Sequence, residues 1–195
     1  MRYRSSEGGL IPIIVLIILN FLIYLAINIA AFTDMNLIPL LGLSRLTFIR
    51  EPWTIITCMF THQDFFHLLF NMITLYFFGN FLNRIVGLKY FLTTYFVGGI
   101  ISGIFILLLS GSNSITIGAS GAIYALGGAL AIIAPNTKVF IFPIPVPMPL
   151  WVAILIGFVI LLPISGVSWQ GHLGGLLFGL LIGWWLRTRR RSIIY

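Results

Sequence analysis

Hydrophobic positions along this 195-residue chain fall into six runs, approximately 11–32, 64–82, 89–109, 119–135, 150–166 and 170–187. Polar residues are sparse within each run and do not alternate with apolar ones, which argues against strands and a barrel. Each run is near the length a helix needs to cross a hydrocarbon core of about 30 Å. In that medium every backbone N–H and C=O must be satisfied within its own segment, so helix is the expected conformation. The pattern predicts an all-α, polytopic membrane protein of six transmembrane helices, organised as a single membrane domain over residues 1–195.

The connections differ in kind. Residues 33–63 are apolar but broken by Pro39, Gly42 and Pro52. They are expected to lie in the membrane interface rather than to span it. Residues 136–149 hold Pro143, Pro145, Pro147 and Pro149, a spacing that breaks helices and predicts an extended connector. Residues 110–117 are mostly small and polar.

Composition strengthens this picture. Hydrophobic residues make up 59% of the chain, charged residues 8%, and the mean hydropathy is +1.10. A soluble domain carries about 25% charged residues. A net charge of +7 is of the sign that binds nucleic acid, but the basic residues flank the apolar runs. Their placement fits topology and lipid headgroup contact, with no nucleic-acid partner expected. With the N-terminus inside, Arg2, Arg4, Arg84, Lys89, Lys138 and the arginines at 187, 189, 190 and 191 share one side, leaving Arg45 and Arg50 on the other. Nine against two predicts that both termini are cytoplasmic. The first run is too long to be a cleaved signal peptide. The single cysteine, Cys58, has no intrachain disulfide partner.

Polar side chains inside membrane helices are functional candidates. His67 and Asn71 lie in the second run, Ser120 in the fourth and His172 in the sixth. All three runs cross from outside to inside, so these four residues share one depth near the outer face. Gly121, Ala125 and Gly128 form a small-residue stripe beside Ser120, and His172, Gly175, Gly179 and Gly183 form another. Such stripes let membrane helices approach closely. If they face each other, a serine meets a histidine, the minimal activated nucleophile. His67 and Asn71, four residues apart, could donate hydrogen bonds to one point, as an oxyanion requires. A serine bonded to its own backbone and a histidine used for packing are the structural alternatives.

These residues resemble the rhomboid family of intramembrane serine proteases, over about Glu51 to Gly183. Gly118-Ala119-Ser120-Gly121 is similar to the family's G-x-S-G motif. His67-Leu68-Leu69-Phe70-Asn71 is similar to its H-x-x-x-N motif, and Gly171-His172-Leu173-Gly174-Gly175 with Gly179 to its histidine segment. Tyr124 matches a tyrosine that packs on the catalytic histidine, and His62 a further family histidine. Thr54 stands after Trp53 where the family usually has arginine.

The resemblance implies a rhomboid-like bundle and a serine endopeptidase that cleaves transmembrane segments near the outer membrane face through an acyl-enzyme. Ser120 and His172 would be catalytic, His67 and Asn71 oxyanion donors, and Tyr124, Gly118, Gly121, Gly175 and Gly179 supporting. The partners implied are transmembrane protein substrates and membrane lipids; no cofactor or metal is implied, and the oligomeric state is open. None of the four acids, Glu7, Asp34, Glu51 and Asp64, lies in the runs bearing Ser120 and His172, so a dyad is expected. Asp64 is expected to cap the second helix. The fifth helix, with no small-residue stripe, is expected to act with the loop Pro163 to Ser168 as a lateral gate. A prokaryotic plasma membrane is the expected location. The alternative is an inactive rhomboid-like protein that binds membrane clients.

Overall fold

The computed structural model describes residues 9–141, 144–164 and 166–191. Arg2 and Arg4 lie outside the described residues, as do the side chains of Arg190 and Arg191. The chain is a bundle of six principal helices: α1 (Ile11–Ala31), α2 (Phe65–Val86), α3 (Leu88–Leu109), α4 (Ser120–Ile133), α5 (Leu150–Leu161) and α6 (Trp169–Arg191). By length and composition α1, α2 and α3 could each cross a membrane. The chain is an integral, polytopic, helical membrane protein.

Several boundaries differ from those the hydrophobic runs predict. α2 continues from residue 82 to Val86 because its inner polar residues find partners. Arg84 Nε donates to Asn80 Oδ1 at 3.0 Å, and the Asn83 amide donates to the Gly9 carbonyl. The helix ends at Gly87, whose φ of +88° favours glycine and lets α3 begin at the next residue. α5 stops at Leu161 rather than 166: Leu162 still has helical dihedrals, with φ −55° and ψ −46°, but the next residue, Pro163, has no N–H to continue the helical bonding. α6 runs on through the basic residues to Arg191. Residues 33–63 include single helical turns at Ile38–Leu41 and Thr54–Thr57 and a 3₁₀ turn at Cys58–Phe60. The proline-rich connector is extended, but it is also paired as an antiparallel hairpin of β1 (Lys138–Ile141) and β2 (Ile144–Pro149).

The centre of the bundle is α4, with Gly121 to Ile123 and Ala125 to Leu130 buried. Its 14 residues rise only about 21 Å, less than the hydrocarbon core. α6 lies against it in parallel and in strict register. A Cβ on Gly175 would fall on the Gly121 carbonyl, one on Gly179 on the Ala125 carbonyl, and one on Gly183 on the Ala129 carbonyl. Gly128 in turn meets the backbone of Leu176 and Leu180. Backbone therefore rests on backbone along the whole contact. α3 closes the other side, with Gly98 against Ala125 and Ser102 between Gly121 and Gly171. At the far end of α4 the Arg187 guanidinium donates to the Ile132 carbonyl at 3.0 Å, satisfying a terminal acceptor.

Lipid tails are as apolar as leucine, so helix association here depends on packing rather than on the hydrophobic effect. A methyl group forced into a filled contact costs roughly 1–3 kcal/mol. Gly179→Ala should accordingly lower the thermal unfolding temperature in detergent, because Ala125 backbone atoms leave no room. Gly111→Ala, where no atom lies within 4 Å of the new methyl, should leave it unchanged. Equal melting of the two variants would refute the close contact.

Candidate active site

Ser120 is the first residue of α4 and His172 lies in the first turn of α6. The parallel register that pairs Gly121 with Gly175 therefore brings them together, and Ser120 Oγ lies 2.7 Å from His172 Nε2. His172 is 6% exposed. The Tyr124 ring, one turn along from Ser120, lies over the imidazole with centroids 4.5 Å apart and planes tilted by 31°. Phe158 of α5 packs edge-on against Tyr124. At the start of α6 the His172 N–H donates to the Ser168 carbonyl, and the Gly171 N–H donates to Ser168 Oγ. The imidazole is thus held by its own helix end, by Tyr124 and by the serine.

The approach to Ser120 is an exception inside a membrane bundle, because it is not helical. Non-helical backbone at that depth is tolerated where protein covers it or where it lines water. Here residues 33–63 supply the partners. Leu43 and Thr116 exchange both backbone hydrogen bonds, at 2.9 and 2.8 Å. The Gly118 N–H donates to the Cys58 carbonyl at 2.8 Å, and the Ala119 N–H to His62 Nε2 at 3.5 Å. Gly118 has a φ of +118°, and a side chain there would strike His67 Nε2. Glycine is thus required twice over, by conformation and by space. The same point lies 3.8 Å from Ser120 Oγ, so the His67 imidazole flanks the serine.

α4 begins without a side-chain cap. Its first N–H groups have no intrahelical acceptor and carry the positive end of the helix dipole beside Ser120 Oγ. Asn71 lies one turn beyond His67 on α2. Its amide nitrogen donates to the His67 carbonyl at 2.8 Å within its own helix, leaving its second N–H for any other partner. Asp64 caps α2, with Oδ1 accepting from the His67 N–H at 2.9 Å.

His62 has a place that its spacing did not disclose. It is fully buried, lies edge-on to His67 with centroids 4.9 Å apart, and its Nε2 accepts from Ala119. An accepting Nε2 puts the proton on Nδ1 and leaves the ring neutral. Burial, with repulsion from His67 second, pushes its pKa down to about 3 against weaker pulls from the Phe60 carbonyl and Asp64. Ser102, wedged between Gly121 and Gly171, also escaped the sequence reading; a serine in a Gly98, Gly99, Gly103 stripe was the available signal.

The family model for the Rhomboid domain matches residues 50–189. The chain is 30% identical over 158 residues to "Rhomboid protein 1, mitochondrial" of Saccharomyces cerevisiae, covering 71% of this chain and 43% of that protein. It is 34% identical over 147 residues to "RHOMBOID-like protein 4" of Arabidopsis thaliana, covering 71% and 35% respectively. It is 34% identical over 130 residues to "Rhomboid protease GluP" of Bacillus subtilis, covering 66% and 25%. The chain thus spans less than half the length of each of these three relatives.

The buried neutral His62 carries a pH signature. Unfolded histidine titrates near 6.5, whereas folded His62 resists protonation down to about 3. Its contribution to stability is complete above 6.5 and is lost as the pH falls toward 3, because only the unfolded chain takes up the proton. His62→Gln keeps an acceptor for Ala119 and has no such proton to gain. Its melting temperature should fall less than that of the wild type on acidification from about pH 7 to about pH 4; an equally steep decline would contradict the assignment.

Proposed function

The chain belongs to the rhomboid family, and from that premise we propose that it is an intramembrane serine endopeptidase with Ser120 as nucleophile and His172 as general base. The observation that carries this reading is the 2.7 Å contact between Ser120 Oγ and His172 Nε2, set by glycine-packed parallel helices. With the imidazole proton on Nδ1, Nε2 accepts the serine proton as Oγ attacks the scissile carbonyl. The tetrahedral oxyanion forms at the N-terminus of α4. Backbone N–H groups there meet it, assisted by the His67 ring and the free N–H of Asn71. His172 returns the proton to the leaving amine, and water then hydrolyses the acyl-enzyme by the same steps in reverse order.

The reaction runs on a Ser-His dyad. Asp64 is committed to capping α2, and the Tyr124 ring takes the orienting role. Gly118, Gly121, Gly175 and Gly179 support the site by admitting His67 and the α4–α6 contact. Substrates are transmembrane segments of other proteins, which must unwind locally to offer a peptide bond. They reach the site sideways past α5, whose outward residues Leu155, Val159 and Ile160 are exposed. Arg84, Lys89, Lys138 and Arg187 all stand at the end of the bundle away from Ser120. Facing these to the cytoplasm places cleavage near the opposite face. The match to a relative named as mitochondrial removes any reason to single out a prokaryotic plasma membrane.

Purified protein should cleave a single-span membrane substrate, and Ser120→Ala and His172→Ala should not. His67→Ala and Asn71→Ala should lower kcat by about 10²–10³ with little change in KM, as expected for groups that act on the transition state. Cleavage that survives Ser120→Ala would refute the mechanism. A folded wild type with no serine-dependent cleavage, and no fluorophosphonate adduct on Ser120, would mark a client-binding protein instead.

A further inference from the structure

The β1–β2 hairpin takes no part in the site above. It follows the C-terminal end of α4 and so stands at the end of the bundle opposite Ser120. Among its described side chains, two apolar ones are exposed: Phe140 at 69% and Val146 at 59%. The edge of a strand normally carries unpaired N–H groups, which are costly to remove from water. β2 avoids most of them by its sequence, Ile144-Pro145-Val146-Pro147-Met148-Pro149, since proline has no N–H to leave unpaired. Leu150 donates its N–H to the Thr137 carbonyl, and Met148 pairs with Val139. Pro149 stands opposite Lys138 between these two bonded positions, so its nitrogen faces the outer edge; beyond Met148 the register shifts.

The surroundings carry the marks of a membrane–water boundary. Trp151, in the first turn of α5, is 48% exposed, and Trp184 of α6 is 63% exposed. Tryptophans gather at headgroup depth. Lys138 at the base of the hairpin is exposed, and Lys89 and Arg187 stand at the same end of their helices. Cations there suit the phosphates of lipid headgroups.

We propose that the β1–β2 hairpin is a lipid-interface anchor, lying in the leaflet away from Ser120 with Phe140 and Val146 in the acyl boundary. The anchor also fixes one end of α5. Leu150 is fully buried and bonded to Thr137, and the Trp151 N–H reaches the Pro135 carbonyl at 3.4 Å. At the other end of the helix Ile160, Leu162 and Ile164 are exposed. A lateral movement of α5 would therefore pivot at the hairpin. The inference goes beyond the proposed protease activity and does not depend on it.

Depth-dependent fluorescence tests it. Cys58, the chain's only cysteine, is buried with its thiol pushed up to about 12, so an added surface cysteine labels selectively. Val146→Cys and, separately, Phe140→Cys would carry an NBD fluorophore in vesicles of phosphatidylcholine and phosphatidylglycerol, with Gly111→Cys as the water-facing control. The expected result is loss of most NBD emission to nitroxide-bearing lipids at both hairpin positions, with aqueous iodide ineffective there but effective at Gly111→Cys. Quenching of both hairpin labels by iodide, with nitroxide lipids ineffective, would overturn the proposal.

Discussion

The structure depends on one contact, the seating of α4 backbone carbonyls on α6 glycines. Gly121, Ala125 and Ala129 present carbonyls to Gly175, Gly179 and Gly183 in steps of four residues on both helices. In lipid no hydrophobic gain drives helices together, so stability comes from closeness itself, through dispersion and Cα–H···O contacts. Any side chain at the three α6 positions would hold the helices apart. The same register sets the meeting of Ser120 with His172, because Ser120 directly precedes Gly121 and His172 lies one turn before Gly175, the first pair of that ladder. Fold and proposed chemistry thus share one geometric origin.

A second constraint follows from the length of α4. A helix of 14 residues at the centre of a bundle leaves its approach segment inside the membrane, where an unpaired peptide group is costly. This explains why residues 33–63 fold so elaborately outside the helices. They provide the Leu43 ladder, the Cys58 carbonyl and the His62 ring that satisfy residues 116, 118 and 119. Their own fold is held in turn by Thr57 Oγ1 donating to the Leu41 carbonyl and Trp53 Nε1 to the Leu40 carbonyl. The protein builds a small polar-backed scaffold at membrane depth, and Ser120 is its exit. Water admitted along such a segment would meet groups already paired.

Much of this was legible in the sequence because membranes make polar and small residues conspicuous. His67, Asn71, Ser120 and His172 stood out in apolar runs, and the stripes through Gly121 and Gly175 pointed the two helices at each other. What escaped has physical reasons. The run ends at 82 because Asn83 and Arg84 are polar, yet the bond of Arg84 to Asn80 and that of Asn83 to the Gly9 carbonyl keep them helical. The hairpin was hidden by prolines that break helix and sheet patterns alike, although they suit an unpaired edge. The Leu43–Thr116 ladder joins residues far apart in the chain with no periodic signal. The bond from one Asn71 N–H to the His67 carbonyl is likewise a detail that spacing alone does not reveal.

The most direct measurement is the rate at which a fluorophosphonate labels Ser120 in Gly175→Ala, at a temperature where the variant remains folded, with the adduct located by mass spectrometry. Gly175 bears no reacting group, and its only office in this account is to let α6 lie on the Gly121 carbonyl. Labelling should collapse although Ser120 and His172 are both present. Labelling at the wild-type rate in the folded variant would show that the serine and histidine meet without the backbone contact, and would contradict the account at its centre.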